Sequence, residues 1–222
     1  MLEIPRGPAR APISGLYALT PDTSDTELLT ARVAAAIAGG ASAVQYRNKS
    51  ASPELKLLQA RALRVICRDR ATPFLVNDDA DLALAVDADG VHLGKDDASV
   101  AAARALLGRS AVVGVSCYDQ LERAAAAVDA GADYIAFGSF FSSAVKPAAT
   151  RAQACLLTAA KSRWPLPVVA IGGITAANAA TLIDAGADAV AVISAVFDAC
   201  DVESAARAIS RLFDESALRR RR

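Results

Sequence analysis

Short apolar runs recur along the chain, and segments with helical spacing separate them. The runs LYALT, FLVND, VVGVS and PVVAIGG alternate with a repeated junction that reads AGGASAVQYR, DADGVHLG, AGADYIAFG and AGADAVAVIS. In three of these junctions a glycine (Gly40, Gly131, Gly186) stands where a helix should end, a position that favours a residue able to take the left-handed conformation. Strands are expected to start near Leu16, Ala43, Phe74, Gly90, Val112, Tyr134, Val168 and Ala189. The runs are apolar at successive positions, the pattern of strands covered on both faces.

Between them, Ser52-Pro53-Glu54 reads as a helix cap followed by proline at the first helical position, leading into LKLLQARALRVICRDR. Further helices are expected to open at Asp119 and Thr175, and a last one to run from Val202 to about Phe213. Strands that alternate with amphipathic helices predict a parallel sheet, and eight such units fit a single (β/α)8 TIM barrel. An open doubly wound sheet is the competing arrangement. On the barrel reading, residues 1–13 form a flexible N-terminal segment, 14–214 the catalytic barrel and 215–222 a basic tail.

A length of 222 residues suits one such barrel, with a core drawn mainly from Ala, Val, Leu and Ile: 54% of residues are hydrophobic but only 5% aromatic. Lys+Arg and Asp+Glu balance at 24 each, so no global field points to nucleic acid or an anionic membrane, and anion recognition must be local. Cys67, Cys117, Cys155 and Cys200 lack metal or redox spacing and read as small buried residues of a reducing compartment. The proline-rich start does not resemble a signal peptide, and a cytoplasmic protein is expected.

Polar residues cluster where strands should end: Gln45-Tyr46-Arg47, Asn77-Asp78, Lys95-Asp96-Asp97, Ser116, Gly138-Ser139, Gly172-Gly173 and Ile193-Ser194. Strand starts, in contrast, are apolar or Gly. In this fold the active site sits at the strand C-terminal rim. Asp78 and Asp97 would end neighbouring strands about 5 Å apart and repel unless a cation lay between them. A hard ion such as Mg2+ takes one or two carboxylates with phosphate oxygens and water. The plainer reading makes Asp79 and Asp97 helix caps.

In QYRNK, strand alternation sends Gln45, Arg47 and Lys49 to one side, a set of donors suited to a polyanion; a solvated loop is the alternative. The loop GSFFSSAVKPAAT, with hydroxyls at Ser142 and Ser143 and a lone charge at Lys146, suits closure over an anion or an ordinary surface loop. Paired glycines after strand seven, with Ile193-Ser194 after strand eight, occupy a frequent monophosphate site of these barrels. The layout suggests one monophosphate and one metal-bound polyphosphate.

Taken in order, QYRNK, VNDD, GVHLGKDD, GVS, GSFFSSAVK, AIGGI and AVISA resemble the thiamine-phosphate synthase family from about Leu16 to Phe213. The resemblance implies joining of 4-amino-2-methyl-5-hydroxymethylpyrimidine diphosphate to a thiazole phosphate, with release of pyrophosphate after ionisation of the pyrimidine C–O bond. It implies Mg2+ on Asp78 and Asp97. Arg47, Lys49, Asn77, Ser116 and Lys146 would hold pyrophosphate oxygens, with Arg47, Lys49, Ser116 and Lys146 the catalytic set. Gln45 would contact the pyrimidine, and Ser143, Gly173, Ile193 and Ser194 the thiazole phosphate.

No general base is needed, in keeping with a chain whose single histidine, His92, reads as a core residue within strand four. Ser142-Ser143-Ala144-Val145-Lys146 departs from the family's Thr-x-Thr-Lys by losing a hydroxyl at Val145 and the preceding proline. Asn48 replaces a frequent acidic residue, and Tyr118 stands where a histidine often follows. The rivals are a thiazole tautomerase on the same barrel and a catalytically silent phosphate binder. Small-molecule substrates, with a homo-oligomer suspected, are the expected partners. Arg219–Arg222 read as a solvated tail rather than a nucleic-acid or membrane contact.

Overall fold

The computed structural model describes residues 13–142 and 151–220. Eight parallel strands, β1 (Gly15–Leu19), β2 (Ala41–Tyr46), β3 (Phe74–Asn77), β4 (Gly90–Leu93), β5 (Val112–Tyr118), β6 (Tyr134–Gly138), β7 (Val168–Ile171) and β8 (Ala189–Val192), close in sequence order. β1 pairs with both β2 and β8, so the sheet has no edge and the open-sheet alternative is excluded. Each strand lies at, or within two residues of, its expected start.

The helices are α1 (Thr26–Ala38), α2 (Pro53–Asp69), α3 (Ala80–Ala85), α4 (Val100–Leu107), α5 (Leu121–Asp129), α6 (Cys155–Arg163), α7 (Ala179–Asp184), α8 (Ser194–Phe197) and α9 (Val202–Arg220). Ser52 caps α2 through Leu55 N, with Pro53 at its start. Gly40, Gly131 and Gly186 take φ of 100°, 88° and 112° just past α1, α5 and α7, the left-handed turn a side chain resists.

Some boundaries differ from expectation. Helix α5 begins at Leu121 after Gln120, two residues beyond Asp119. Thr175 opens a turn instead of α7, because Asn178 folds back, its Oδ1 accepting from Thr175 N at 2.8 Å and its Nδ2 donating to Gly173 O at 3.1 Å. Helix α9 passes Phe213 and continues to Arg220, so the expected tail is largely helical. It is anchored by buried Ser216, which donates to Asp184 at 3.1 Å, and by Arg219 on the same carboxylate. Ile13, assigned to the flexible segment, is 3% exposed in the barrel interior. Residues 1–12 and 221–222 lie outside the described residues.

Strand alternation builds two cores. Leu16, Val44, Val76, Ile135 and Phe137 face outward against the helices, whereas Tyr17, Leu19, Ala43, Leu75, Tyr134, Val169 and Ala191 fill the barrel. Gly114 is required by the second: a Cβ there would overlap the phenol ring of Tyr134, its partner across the β5–β6 register. Of the cysteines, Cys67 and Cys117 are buried, which pushes each thiol up to about 12. Cys155 and Cys200 are exposed, contrary to expectation, since Cys155 opens α6 and Cys200 lies in the connection between α8 and α9. No helix among the described residues is long and apolar enough to cross a membrane.

The aspartate before each later even strand braces the barrel floor. Asp89 accepts from Phe74 N (2.9 Å) and pairs with Arg64 of α2 (3.1 Å). Asp133 accepts from Val113 N (2.7 Å) and pairs with Arg104 of α4 (2.6 Å). Asp188 accepts from Val168 N (2.7 Å) and pairs with Lys161 of α6 (2.9 Å). Each carboxylate thus ties an odd strand, the next even strand and the helix before them. Removing one strands a buried backbone donor, so Asp133→Ala should lower unfolding free energy by about 1–2 kcal/mol in urea titration. Its distance from the opposite rim should leave catalytic turnover intact.

Candidate active site

At the strand C-terminal rim a cavity of about 930 Å³ opens. Gln45, Arg47, Lys49, Asn77, Asp78, Asp97, Ser116, Gly173, Ile193 and Ser194 all line it. The structure therefore brings together every expected site residue within the described residues. Ser143, Val145 and Lys146 lie outside them.

Strand β2 supplies the basic wall. Its alternation puts Gln45 inward, while Tyr46 turns outward and donates to Gln59 at 2.9 Å. Asn48 also leaves the site, its Nδ2 donating to Gln59 and to Thr23 O, so the Asn at this position is a structural brace. Arg47 extends along the rim, held by Asp22 Oδ1 at 2.9 Å, and the same oxygen accepts from Lys49 N at 3.0 Å. Asp22 was not anticipated from the sequence. It orients both basic residues from the β1–α1 loop.

The two acidic pairs part company. Asp79 is a helix cap, accepting from Leu82 N at 2.8 Å. Asp97 is not: Ser99 caps α4, and Asp97 Oδ2 instead accepts from Gly94 N at 2.6 Å. Asp78 takes φ of 64°, tolerated by a short polar side chain, and its carboxylate turns toward the end of β4. Lys49 Nζ lies 3.3 Å from its Oδ2. A Cβ placed on Gly94 would meet Asp97 Oδ2 at 2.8 Å and Asp78 Oδ1 at 3.8 Å, so glycine leaves room for both carboxylates to converge.

Their convergence shows in the protonation balance. Partial burial, then contact with Asp78, raises the Asp97 carboxyl above its usual range, although Gly94 N–H and Lys49 oppose this. A carboxylate set beside a second one is an arrangement that could hold a cation. No cluster of three or more metal-binding side chains exists among the described residues. An ion held here would complete its shell with ligand oxygens and water.

Across the cavity the backbone forms the second wall. Gly172 and Gly173 take φ of 106° and 62°, and a Cβ on Gly173 would overlap Ser142 O and lie 2.8 Å from Phe141 carbonyl atoms. The turn can therefore pack under the β6 loop only as glycine. Ser194 and Ile193 close the same wall from β8. Ser142, on the β6 loop, accepts from Arg151. Tyr118, with φ of 56°, also lines the cavity, and Arg123 of α5 lies 5.4 Å from its ring centroid. Arg123 joins Arg47, Lys49 and Lys95 as a basic side chain lining the cavity; no motif signalled it, because it sits inside a helix that the sequence shows only as amphipathic.

The cavity floor is polar. Ser116 Oγ lies 2.8 Å from His92 Nε2, and Gln45 Nε2 donates to Tyr17 Oη at 2.7 Å. His92, expected to be a core residue, is 8% exposed and lines the cavity.

The family model for thiamine monophosphate synthase matches residues 16–196. The chain is 58% identical over 199 residues to the thiamine-phosphate synthase of Thiobacillus denitrificans, covering 90% of this chain and 94% of the relative. It is 53% identical to that of Methylobacillus flagellatus, with 91% and 97% covered. Among solved structures it is similar to a thiamine phosphate pyrophosphorylase from Pyrococcus furiosus, with a TM-score of 0.80, 36% identity, and 90% and 96% of the two chains covered.

Gly173→Ala should lose at least about 2 kcal/mol of stability to strain and overlap. A drop in Tm of roughly 4–8 °C by calorimetry, with weakened binding of inorganic phosphate, is the expected outcome.

Proposed function

The chain belongs to the thiamine monophosphate synthase family, and on that premise we propose that this rim joins the pyrimidine diphosphate to a thiazole phosphate, releasing pyrophosphate. The observation that carries the assignment of roles is the two-walled cavity. A wall of Arg47, Lys49, Asp78 and Asp97 faces a glycine turn closed by Ser194, with room for both substrates between them.

Substitution at the pyrimidine carbon proceeds by departure of pyrophosphate before the thiazole nitrogen attacks, so negative charge grows on the leaving oxygens. Groups already in place to meet that charge lower the barrier most. Arg47, fixed by Asp22, and Lys49 grip the diphosphate together with Asn77 and Ser116. Lys146 is assigned to the same oxygens on sequence grounds.

Asp78 and Asp97 fit Mg2+, because two converging carboxylates need a cation and the diphosphate itself provides the remaining oxygens. Such an ion supplies charge neutralisation to the leaving group. Gln45 contacts the pyrimidine, and Gly173, Ile193, Ser194 and Ser143 hold the thiazole phosphate, keeping the nucleophilic nitrogen beside the reacting carbon.

Pyrophosphate release should require both substrates and Mg2+, and should collapse in an Asp78→Asn/Asp97→Asn variant that remains folded. Ligand binding without release would favour the silent-binder reading, and rearrangement of the thiazole alone would favour the tautomerase. Lys146→Ala is expected to abolish turnover, whereas Val145→Thr restores a hydroxyl and keeps or improves it; steady-state rates decide both.

A further inference from the structure

Below the phosphate-binding groups, side chains run through the barrel as one hydrogen-bonded chain. Gln45 Nε2 donates to Tyr17 Oη (2.7 Å), the Tyr17 and Tyr134 hydroxyls lie 3.0 Å apart, Tyr134 Oη is 2.9 Å from His92 Nδ1, and His92 Nε2 is 2.8 Å from Ser116 Oγ. Gln45, Tyr17 and Tyr134 are at most 1% exposed. Desolvation holds both phenols far above their usual pKa, so each hydroxyl keeps its single proton. Ring contacts fix the geometry: Tyr17 meets Tyr134 edge-on at 6.1 Å, and His92 stacks on Tyr134 at 5.5 Å.

A chain with one proton per link has only two senses. An amide nitrogen donates and never accepts. With Gln45 Nε2 on Tyr17, the Tyr17 proton must point to Tyr134, and the Tyr134 proton to His92 Nδ1. His92 then carries its proton on Nε2 and donates to Ser116, leaving the Ser116 proton free for the cavity. At the far end Gln45 Oε1 is buried with no hydrogen-bond partner. It is an acceptor awaiting a donor from the ligand, and such an unmet group carries a real penalty. Turning the amide over reverses every link: the Ser116 proton would go to His92, and only lone pairs would face the anion.

We propose that this chain couples the two ends of the pyrimidine diphosphate. A donor such as the 4-amino group on Gln45 Oε1 holds the chain in the sense the structure shows, and Tyr17, Tyr134 and His92 act as positioning residues that present the Ser116 hydroxyl as a hydrogen-bond donor to the departing diphosphate. The ligand part of the inference rests on the function proposed above; the chain itself does not. A 4-oxo pyrimidine would demand the opposite amide face and withdraw the Ser116 donor, so discrimination would arise partly at a group remote from the ring.

The chain's single histidine makes the test direct. In protein labelled with 15N-histidine at about pH 8, where imidazole is neutral, the one pair of ring-nitrogen signals should show Nε2 protonated and Nδ1 bare. Gln45→Glu, which places an acceptor opposite Tyr17, should move the proton to Nδ1. Tyr134→Phe, which cuts the chain at its middle, should erase the tautomer preference and lower kcat/KM by about 10- to 100-fold, as for loss of a hydrogen bond to a charged group. It should also shrink the selectivity for the 4-amino over the 4-oxo substrate, which a merely structural role would not do.

An Nδ1 proton in the parent protein, or an unmoved tautomer in Gln45→Glu, overturns the chain. Turnover and 4-amino selectivity unchanged in Tyr134→Phe overturn the coupling. A switching tautomer in protein that releases no pyrophosphate upholds the chain's sense and overturns the diphosphate reading instead.

Discussion

Pairing of β1 with β8 is the constraint on which everything else rests. Gly15, Leu16, Tyr17 and Ala18 register against Ala189, Val190, Ala191 and Val192, closing the parallel sheet. Once it is closed, all strand C-termini share one rim, and residues distant in the chain meet there without any local signal. Tyr17 reaches Tyr134 across 117 positions because their strands point into the same enclosed space. Closure also makes the interior scarce: Gly114 gives its side-chain volume to Tyr134.

The rim divides its electrostatic labour. The basic side is held in shape by Asp22, and on the acidic side contact with Asp78 discourages charge on Asp97. Lys49 spans both through its contact with Asp78. Opposite them the Gly172–Gly173 turn contributes backbone and little charge. The reaction proposed above would use this division to orient a diphosphate against its monophosphate partner.

Strand positions were legible because short runs apolar at successive positions between helix stops read as strands covered on both faces, and the polar bias of strand ends marked the cavity rim. Asp78, Asp97, Arg47 and Gly173 were visible for the same reason. The plainer reading of Asp97 as a cap does not hold, since Ser99 offers a hydroxyl two residues later and takes that role. Asn178 delayed α7 through a side-chain turn that no periodicity reports. Asp22, Arg123 and the Tyr17–Tyr134–His92 path were hidden because each depends on register across the closed barrel. The exposed Cys155 shows that a small apolar residue on a helix need not choose the inner face, and Cys200 lies outside the helices, in the α8–α9 connection.

The aspartate braces of the floor bear on the order of assembly. Asp89, Asp133 and Asp188 complete the pairs β3–β4, β5–β6 and β7–β8 from chain segments made close together in time. The β1–β2 pair has no such aspartate. Ser42 bridges to Ser14 and Leu16 carbonyls, and Ser210 on α9 donates to Gly40 O at 2.9 Å. During synthesis, then, all four pairs can be fastened from chain already made, and the first gains a second latch near the end of the message. Only the earliest pair is secured twice.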